Sequence, residues 1–202
     1  MGPVYVITDP MAPYPVAEQA RLAARGGAGA VQIRDKTLHD DDFIALVAML
    51  LPEMTARGVT LIVNDRVEVA LRSGAHGLHI GQGDGDPTDI RARLPQGMIF
   101  GLSIETLEQA QRLPDCIDYI GAGPVRATAT KPDHAAPIGF DGLAQIAAAV
   151  PVPCYAIGGI KPGDGAALRR AGAAGMAVVS AVTRAPDPAM ATSNLLREWN
   201  TA

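Results

Sequence analysis

Cysteine is nearly absent: Cys116 and Cys154 are the only two in 202 residues. Two are too few for a disulfide framework and lack metal-ligand spacing, so both read as buried free thiols. An excess of positive charge is missing as well, since 17 Lys and Arg against 21 Asp and Glu leave a net charge of −4. With no basic field and no lysine-rich block, nucleic acid and membrane surfaces are excluded as partners. An anionic ligand must then be held locally, by a few cations, backbone N–H groups or a metal. Long apolar runs are also lacking. The uncharged stretch 143–160 is broken by Pro151, Pro153 and the Gly158-Gly159 pair, whereas a membrane helix needs about 20 mostly apolar residues. The start, MGPVYVITD, has neither the basic residues nor the apolar block of a signal peptide, so a cytoplasmic location is the expectation. Aromatic residues make up only 4%.

What is present is globular: 48% hydrophobic and 19% charged residues, with 22 Gly and 16 Pro, short of the roughly 25–30% combined Gly and Pro that marks low complexity. Short β-branched runs recur at 4–8, 30–34, 61–64, 77–80, 99–103, 119–122, 154–157 and 176–179. Between them lie alanine-rich stretches, such as 16–25, 41–57, 141–149 and 163–171, with apolar residues at intervals of three and four. This alternation predicts parallel strands with right-handed helical crossovers. Eight such units and no linker predict a single α/β domain over residues 1–202, a small (βα)8 TIM barrel, with a doubly wound sheet as the alternative. Turn glycines ahead of several strands (Gly27, Gly29, Gly58, Gly74, Gly97 and Gly172) favour the barrel. The scarcity of aromatics fits a barrel filled by branched aliphatics.

Barrel active sites lie at the C-terminal strand ends, and polar residues gather there. In Val31-Gln32-Ile33-Arg34-Asp35-Lys36 the alternation of a strand places Gln32, Arg34 and Lys36 on one face, toward the barrel mouth, with Val31 and Ile33 toward the helices. The third and fourth strands deliver Asn64, Asp65 and Asp84 to the same rim. Two carboxylates beside an anionic ligand suit Mg2+, which takes one or two protein carboxylates, waters and substrate phosphates. Taken singly, Asp65 reads equally as a helix cap and Asp84 as a turn residue. Ser103 ends the fifth strand, as a cap or a ligand contact. The sixth is followed by GAGPVRATATK, where Thr128, Ala129, Thr130 and Lys131 suit anion binding; residues 125–137 form a candidate lid. Gly158 and Gly159 after the seventh strand, with Val179 and Ser180 after the eighth, suit a phosphate held by backbone N–H groups. His39, His76, His79 and His134 read as structural, for want of a Ser–His or Cys–His constellation, and Trp199 as packing the last helix on the barrel. Two anion sites imply two phosphorylated small-molecule substrates.

The ordered set YVITD, VQIRDK, LIVNDR, HIGQGD, GLS, GAGPVRATATK, AIGGI and VVSA resembles the thiamine phosphate synthase family across essentially the whole chain. The resemblance implies a (βα)8 transferase of thiamine biosynthesis that couples hydroxymethylpyrimidine diphosphate to a thiazole phosphate, carboxylated or not, and releases diphosphate. By the same resemblance, Gln32, Ile33, Arg34, Asp35, Lys36, Asn64, Ser103 and Lys131 hold the pyrimidine diphosphate, with Arg34, Lys36, Ser103 and Lys131 serving catalysis. Asp65 and Asp84 hold Mg2+, while Thr128, Ala129, Thr130, Gly159, Val179 and Ser180 hold the thiazole phosphate. The implied mechanism is dissociative: diphosphate departs first, and the thiazole nitrogen captures a pyrimidinylmethyl cation. Arg126 stands where the family commonly has an aromatic residue, and Glu105 where it usually has a histidine. The alternatives are a thiazole tautomerase of the same barrel family, whose members tend to lose the Asn–Asp pair and the Thr-x-Thr-Lys loop, and a non-catalytic sensor of a phosphorylated ligand. A homo-oligomer stays open, because scattered apolar surface on helices does not mark an interface.

Overall fold

The strands are short because four residues suffice to cross one layer of a small barrel. They are β1 (Val4–Ile7), β2 (Ala30–Ile33), β3 (Thr60–Asn64), β4 (Gly77–Ile80), β5 (Ile99–Ile104), β6 (Tyr119–Ala122), β7 (Cys154–Ile157) and β8 (Gly175–Val178). The computed structural model describes residues 1–128 and 135–201. All neighbouring strands pair in parallel, and β1 closes on β8 through Val4↔Met176, Tyr5↔Ala177 and Val6↔Val178. The result is a closed eight-stranded barrel in sequence order, not the doubly wound alternative.

Each strand is followed by a helix: α1 (Val16–Arg25), α2 (Asp40–Ala56), α3 (Val67–Ser73), α4 (Pro87–Arg93), α5 (Leu107–Gln111), α6 (Gly139–Ala149), α7 (Gly165–Arg170) and α8 (Ser180–Thr183). The last helix, α9 (Pro188–Thr201), lies beyond the eighth unit and packs on α1, α7 and α8. Local chemistry sets the helix ends. Asp86 caps α4 by accepting from the N–H groups of Thr88 and Asp89, with Pro87 opening the helix. Thr106 and Gln109 form a reciprocal capping box on α5. Gly74 ends α3 at φ 69°, a left-handed position that glycine adopts without steric penalty.

Two clusters fill the molecule. The outer one lies between strands and helices and includes Val31, Ile33, Val63, Leu78, Phe100, Phe43, Leu50 and Trp199. The inner one corrects the expectation of an aliphatic filling: its large members are Tyr5, Tyr119 and Tyr155, three of the four tyrosines, packed edge to face with ring centroids 5.8–6.0 Å apart. The physical reason lies in their neighbours. A Cβ on Gly101 would fall 2.2 Å from the Tyr119 ring, and one on Gly175 would fall 2.6 Å from that of Tyr155. Inward glycines leave space that a large planar ring fills and a branched aliphatic does not. The rings plug the barrel below its mouth, so the cavity opens only above them.

Candidate active site

A cavity of about 480 Å3 occupies the C-terminal mouth of the barrel, lined from every one of the eight units. On β2, alternation works as the pattern predicts. Gln32, Arg34 and Lys36 line the cavity, while Ile33 is fully buried in the outer core. Asp35 turns away, accepting hydrogen bonds from the N–H groups of Thr37 and Leu38. Despite partial burial, those bonds and the nearby Arg66 hold its carboxyl below the usual range. The side chains of Ile33 and Asp35 therefore do not reach a ligand in the cavity, in contrast to Gln32 and Arg34. The Arg34 guanidinium makes no hydrogen bond or ion pair among the described residues, which leaves all five of its donors for an anion.

The end of β3 supplies Asn64 and Asp65. Asp65 has φ 51°, the single non-glycine residue with positive φ among the described residues. Its N–H donates to the carbonyl of His79 at 2.8 Å, and its carboxylate pairs with Lys36. Arg66, not Asp65, occupies the cap position of α3, so the cap reading does not account for Asp65. A left-handed backbone costs a residue with a Cβ about 1 kcal/mol, and such outliers gather at functional sites. Asp84 lines the cavity from the loop after β4, where its carboxylate also accepts the Gly81 N–H at 2.7 Å. The turn reading of Asp84 thus holds together with its place in the cavity wall. Two carboxylates from neighbouring units line one cavity, a donor set of the kind that magnesium takes alongside water and phosphate oxygens.

Ser103 does not cap a helix. Its hydroxyl lies 3.0 Å from His79 Nε2, and α5 is capped by Thr106 instead. His79 is 8% exposed, and burial drives its pKa down to about 4, so it stays neutral. Sequence reading assigned it a structural role without its partners, which are distant in the chain.

On the opposite wall, the loop after β6 runs beside the end of β7: Val125 N–H donates to Ile157 O at 2.8 Å and Arg126 N–H to Gly158 O at 3.0 Å. Gly158 and Gly159 have φ 89° and 66°, and a Cβ on Gly158 would meet Pro124 at 2.4 Å. Only glycine fits this close passage. The Arg126 guanidinium binds both oxygens of Asp164 at 2.6 and 2.8 Å and Gly159 O at 3.1 Å, and lies over the Phe140 ring. Val179, Ser180 and Thr128 join Gly159 in the lining, and the first turn of α8 leaves N–H groups without helical acceptors. Ala129, Thr130, Lys131 and His134 lie outside the described residues, as does part of the candidate lid 125–137. Glu105, noted in the sequence as a departure from the family pattern, lines the cavity, as do Thr8 and Gln82, which were not assigned to a site. The signal for Gln82 was available, two residues past the end of β4 in the HIGQGD motif.

The arrangement places cations and a carboxylate pair on one wall and a glycine-framed backbone on the other, and the Ser103–His79 contact brings a hydroxyl and an imidazole together at the cavity. A family profile described as thiamine monophosphate synthase matches residues 4–182. A thiamine-phosphate synthase from Roseiflexus sp. (strain RS-1) is 45% identical over 197 residues, covering 96% of this chain and 84% of the relative. One from Albidiferax ferrireducens is 40% identical over 195 residues, covering 95% and 89%. The solved thiamine phosphate pyrophosphorylase from Pyrococcus furiosus superposes with a TM-score of 0.90 at 33% identity, covering 98% of this chain and 96% of that one.

Proposed function

The chain belongs to the thiamine monophosphate synthase family, and on that premise we propose how its cavity divides between the two substrates. The enzyme is a transferase: it joins hydroxymethylpyrimidine diphosphate to a thiazole phosphate and releases diphosphate. Arg34, Lys36 and Lys131 receive the diphosphate, Gln32, Asn64 and Ser103 hold the pyrimidine, and Thr128, Ala129, Thr130, Gly159, Val179 and Ser180 receive the thiazole phosphate. Ile33 and Asp35 take no part in this division, since Ile33 is buried in the outer core and Asp35 is bound to the chain that follows it. The observation that carries this division is that one cavity presents Arg34, which has no side-chain partner among the described residues, and the Asp65–Asp84 carboxylates on one side and the Gly158-Gly159 and Val179-Ser180 backbone on the other.

The reaction breaks the C–O bond between the pyrimidinylmethyl carbon and the diphosphate, with both electrons leaving on oxygen. The thiazole nitrogen lone pair then forms the C–N bond to the same carbon. No proton has to be removed, so the reaction asks neither His79 nor any other side chain to act as a base on a nucleophile. Asp65 and Asp84 would hold Mg2+, which when bound supplies positive charge to the departing diphosphate. Arg34 and Lys36 add fixed positive charge at the same place, where it stabilises the leaving group more than the ground state. Holding both substrates in one cavity makes the capture step effectively unimolecular. Purified protein given Mg2+ and both phosphorylated halves is expected to form thiamine phosphate. Binding of both halves without product would overturn the reading in favour of a sensor.

A further inference from the structure

Two pocket residues on different strands, Gln32 and Ser103, are joined beneath the cavity by three buried side chains. The Gln32 amide nitrogen lies 2.6 Å from Tyr5 OH, and Tyr5 OH lies 2.9 Å from Tyr119 OH. Tyr119 OH lies 2.9 Å from His79 Nδ1, and His79 Nε2 lies 3.0 Å from Ser103 Oγ. Tyr5 and Tyr119 are each 2% exposed.

We propose that Tyr5, Tyr119 and His79 are positioning residues, a one-directional hydrogen-bond chain that fixes which atoms Gln32 and Ser103 offer to the substrate. The direction follows from counting protons. Gln32 donates an N–H to Tyr5, so the single Tyr5 proton goes to Tyr119 and the single Tyr119 proton to His79 Nδ1. The neutral imidazole then carries its proton on Nε2 and donates it to Ser103 Oγ. Ser103 is left with its own O–H to give, and Gln32 with its carbonyl oxygen to receive and one further N–H to give. Reversing any one link leaves two protons facing each other or a buried acceptor without a donor. All three members are buried, Tyr5 and Tyr119 at 2% and His79 at 8% exposed, and with one proton on each, every donor along the chain meets an acceptor. The cavity floor therefore presents an amide edge, carbonyl oxygen and one N–H, at β2 and a hydroxyl donor at β5, which a heterocycle with matching donor and acceptor groups satisfies. The kinetic consequence rests on the assignment of the pyrimidine to this wall; the chain itself does not.

Two measurements separate these points. In protein labelled with 15N-histidine, two-bond proton–nitrogen correlation spectra read the tautomer of His79 without any substrate, with a His79→Gln sample to assign the signal. The expected state is neutral with the proton on Nε2; a proton on Nδ1 would overturn the proposed direction. Calorimetry of each half-substrate alone then needs no turnover. Tyr119→Phe, which removes one oxygen from the middle of the chain, is expected to weaken pyrimidine diphosphate about tenfold and leave thiazole phosphate within twofold. Equal weakening of both, or of neither, would reduce Tyr119 to a packing residue. Should Tyr119→Phe not fold, Tyr5→Phe cuts the chain one link nearer Gln32 and carries the same expectation.

Discussion

Arg126 grips Asp164 with two parallel hydrogen bonds of 2.6 and 2.8 Å, tying the loop that leaves β6 to the loop that leaves β7. The same guanidinium holds Gly159 O, and Asp164 also accepts the Lys161 N–H at 2.8 Å. Both Gly158 and Gly159 thus hang from a clamp that does not itself line the cavity. Arg126→Met is expected to raise KM for the thiazole phosphate several-fold while leaving KM for the pyrimidine diphosphate unchanged. Asp164→Asn should do the same, and the double variant should be little worse than either, since all three remove one unit. Equal changes in both KM values in steady-state kinetics would contradict a local clamp.

The clamp also carries an acid dependence. Hydrogen bonding from Arg126 holds the Asp164 carboxyl below its usual range. A carboxylate with a depressed folded-state pKa contributes stability that is complete above its unfolded value, about 3.9, and disappears as pH falls through the folded value. Urea unfolding from pH 5 downward should therefore show a steeper loss for the native protein than for Asp164→Asn below about pH 4. Identical slopes would mean that the pair is too well solvated to matter.

Asp65 separates activity from stability. Asp65→Gly and Asp65→Ala both remove the carboxylate and its pairing with Lys36, so both should lose Mg2+-dependent turnover. They differ in backbone: at φ 51° alanine is strained and glycine is not, so the glycine variant should be more stable by about 1 kcal/mol in denaturant titrations. Retained turnover in either variant would remove Asp65 from the metal site.

The tyrosine plug should be intolerant of added volume. Gly101→Ala drives a methyl into the Tyr119 ring, 2.2 Å away before relaxation, and overpacking of this kind costs about 1–3 kcal/mol. In a chain of this size that corresponds to a fall in Tm of roughly 2–4 °C per kcal/mol. Gly97→Ala, where a Cβ meets nothing within 4 Å but φ is 86°, gives a comparison in which only backbone strain acts.

The thiols should be quiet. Burial raises Cys154 to about 12 and also raises the half-buried Cys116. At pH 8, Ellman's reagent should label Cys154 only on unfolding and Cys116 slowly; prompt release of two equivalents from folded protein would show an opening of the helical layer not expected of this packing.

The barrel and one wall of its cavity were legible in the sequence because both depend on short-range period. Alternation alone sends Gln32 and Arg34 inward and Ile33 outward, and the rule that barrel chemistry sits at strand ends picks out Asp65 and Asp84. The floor was not legible. His79 and Tyr119 are 40 positions apart, and their meeting depends on strand register, which no local pattern encodes. A tyrosine in a strand reads equally as outer core or inner plug until the glycines opposite it, Gly101 and Gly175, are placed in space. Element ends were the other weak point: β5 runs on to Ile104, one residue past Ser103, and β8 begins at Gly175 and stops before Val179.

The pairing of β1 with β8 has a further meaning for a chain made in order on a ribosome. Until residues 175–178 emerge, β1 and β7 each present an unpaired row of N–H and C=O groups, the kind of edge that recruits other strands. A chain that ends between β7 and Gly175 lacks the strand that pairs with both β1 and β7, so it leaves open two borders that the closed ring does not have.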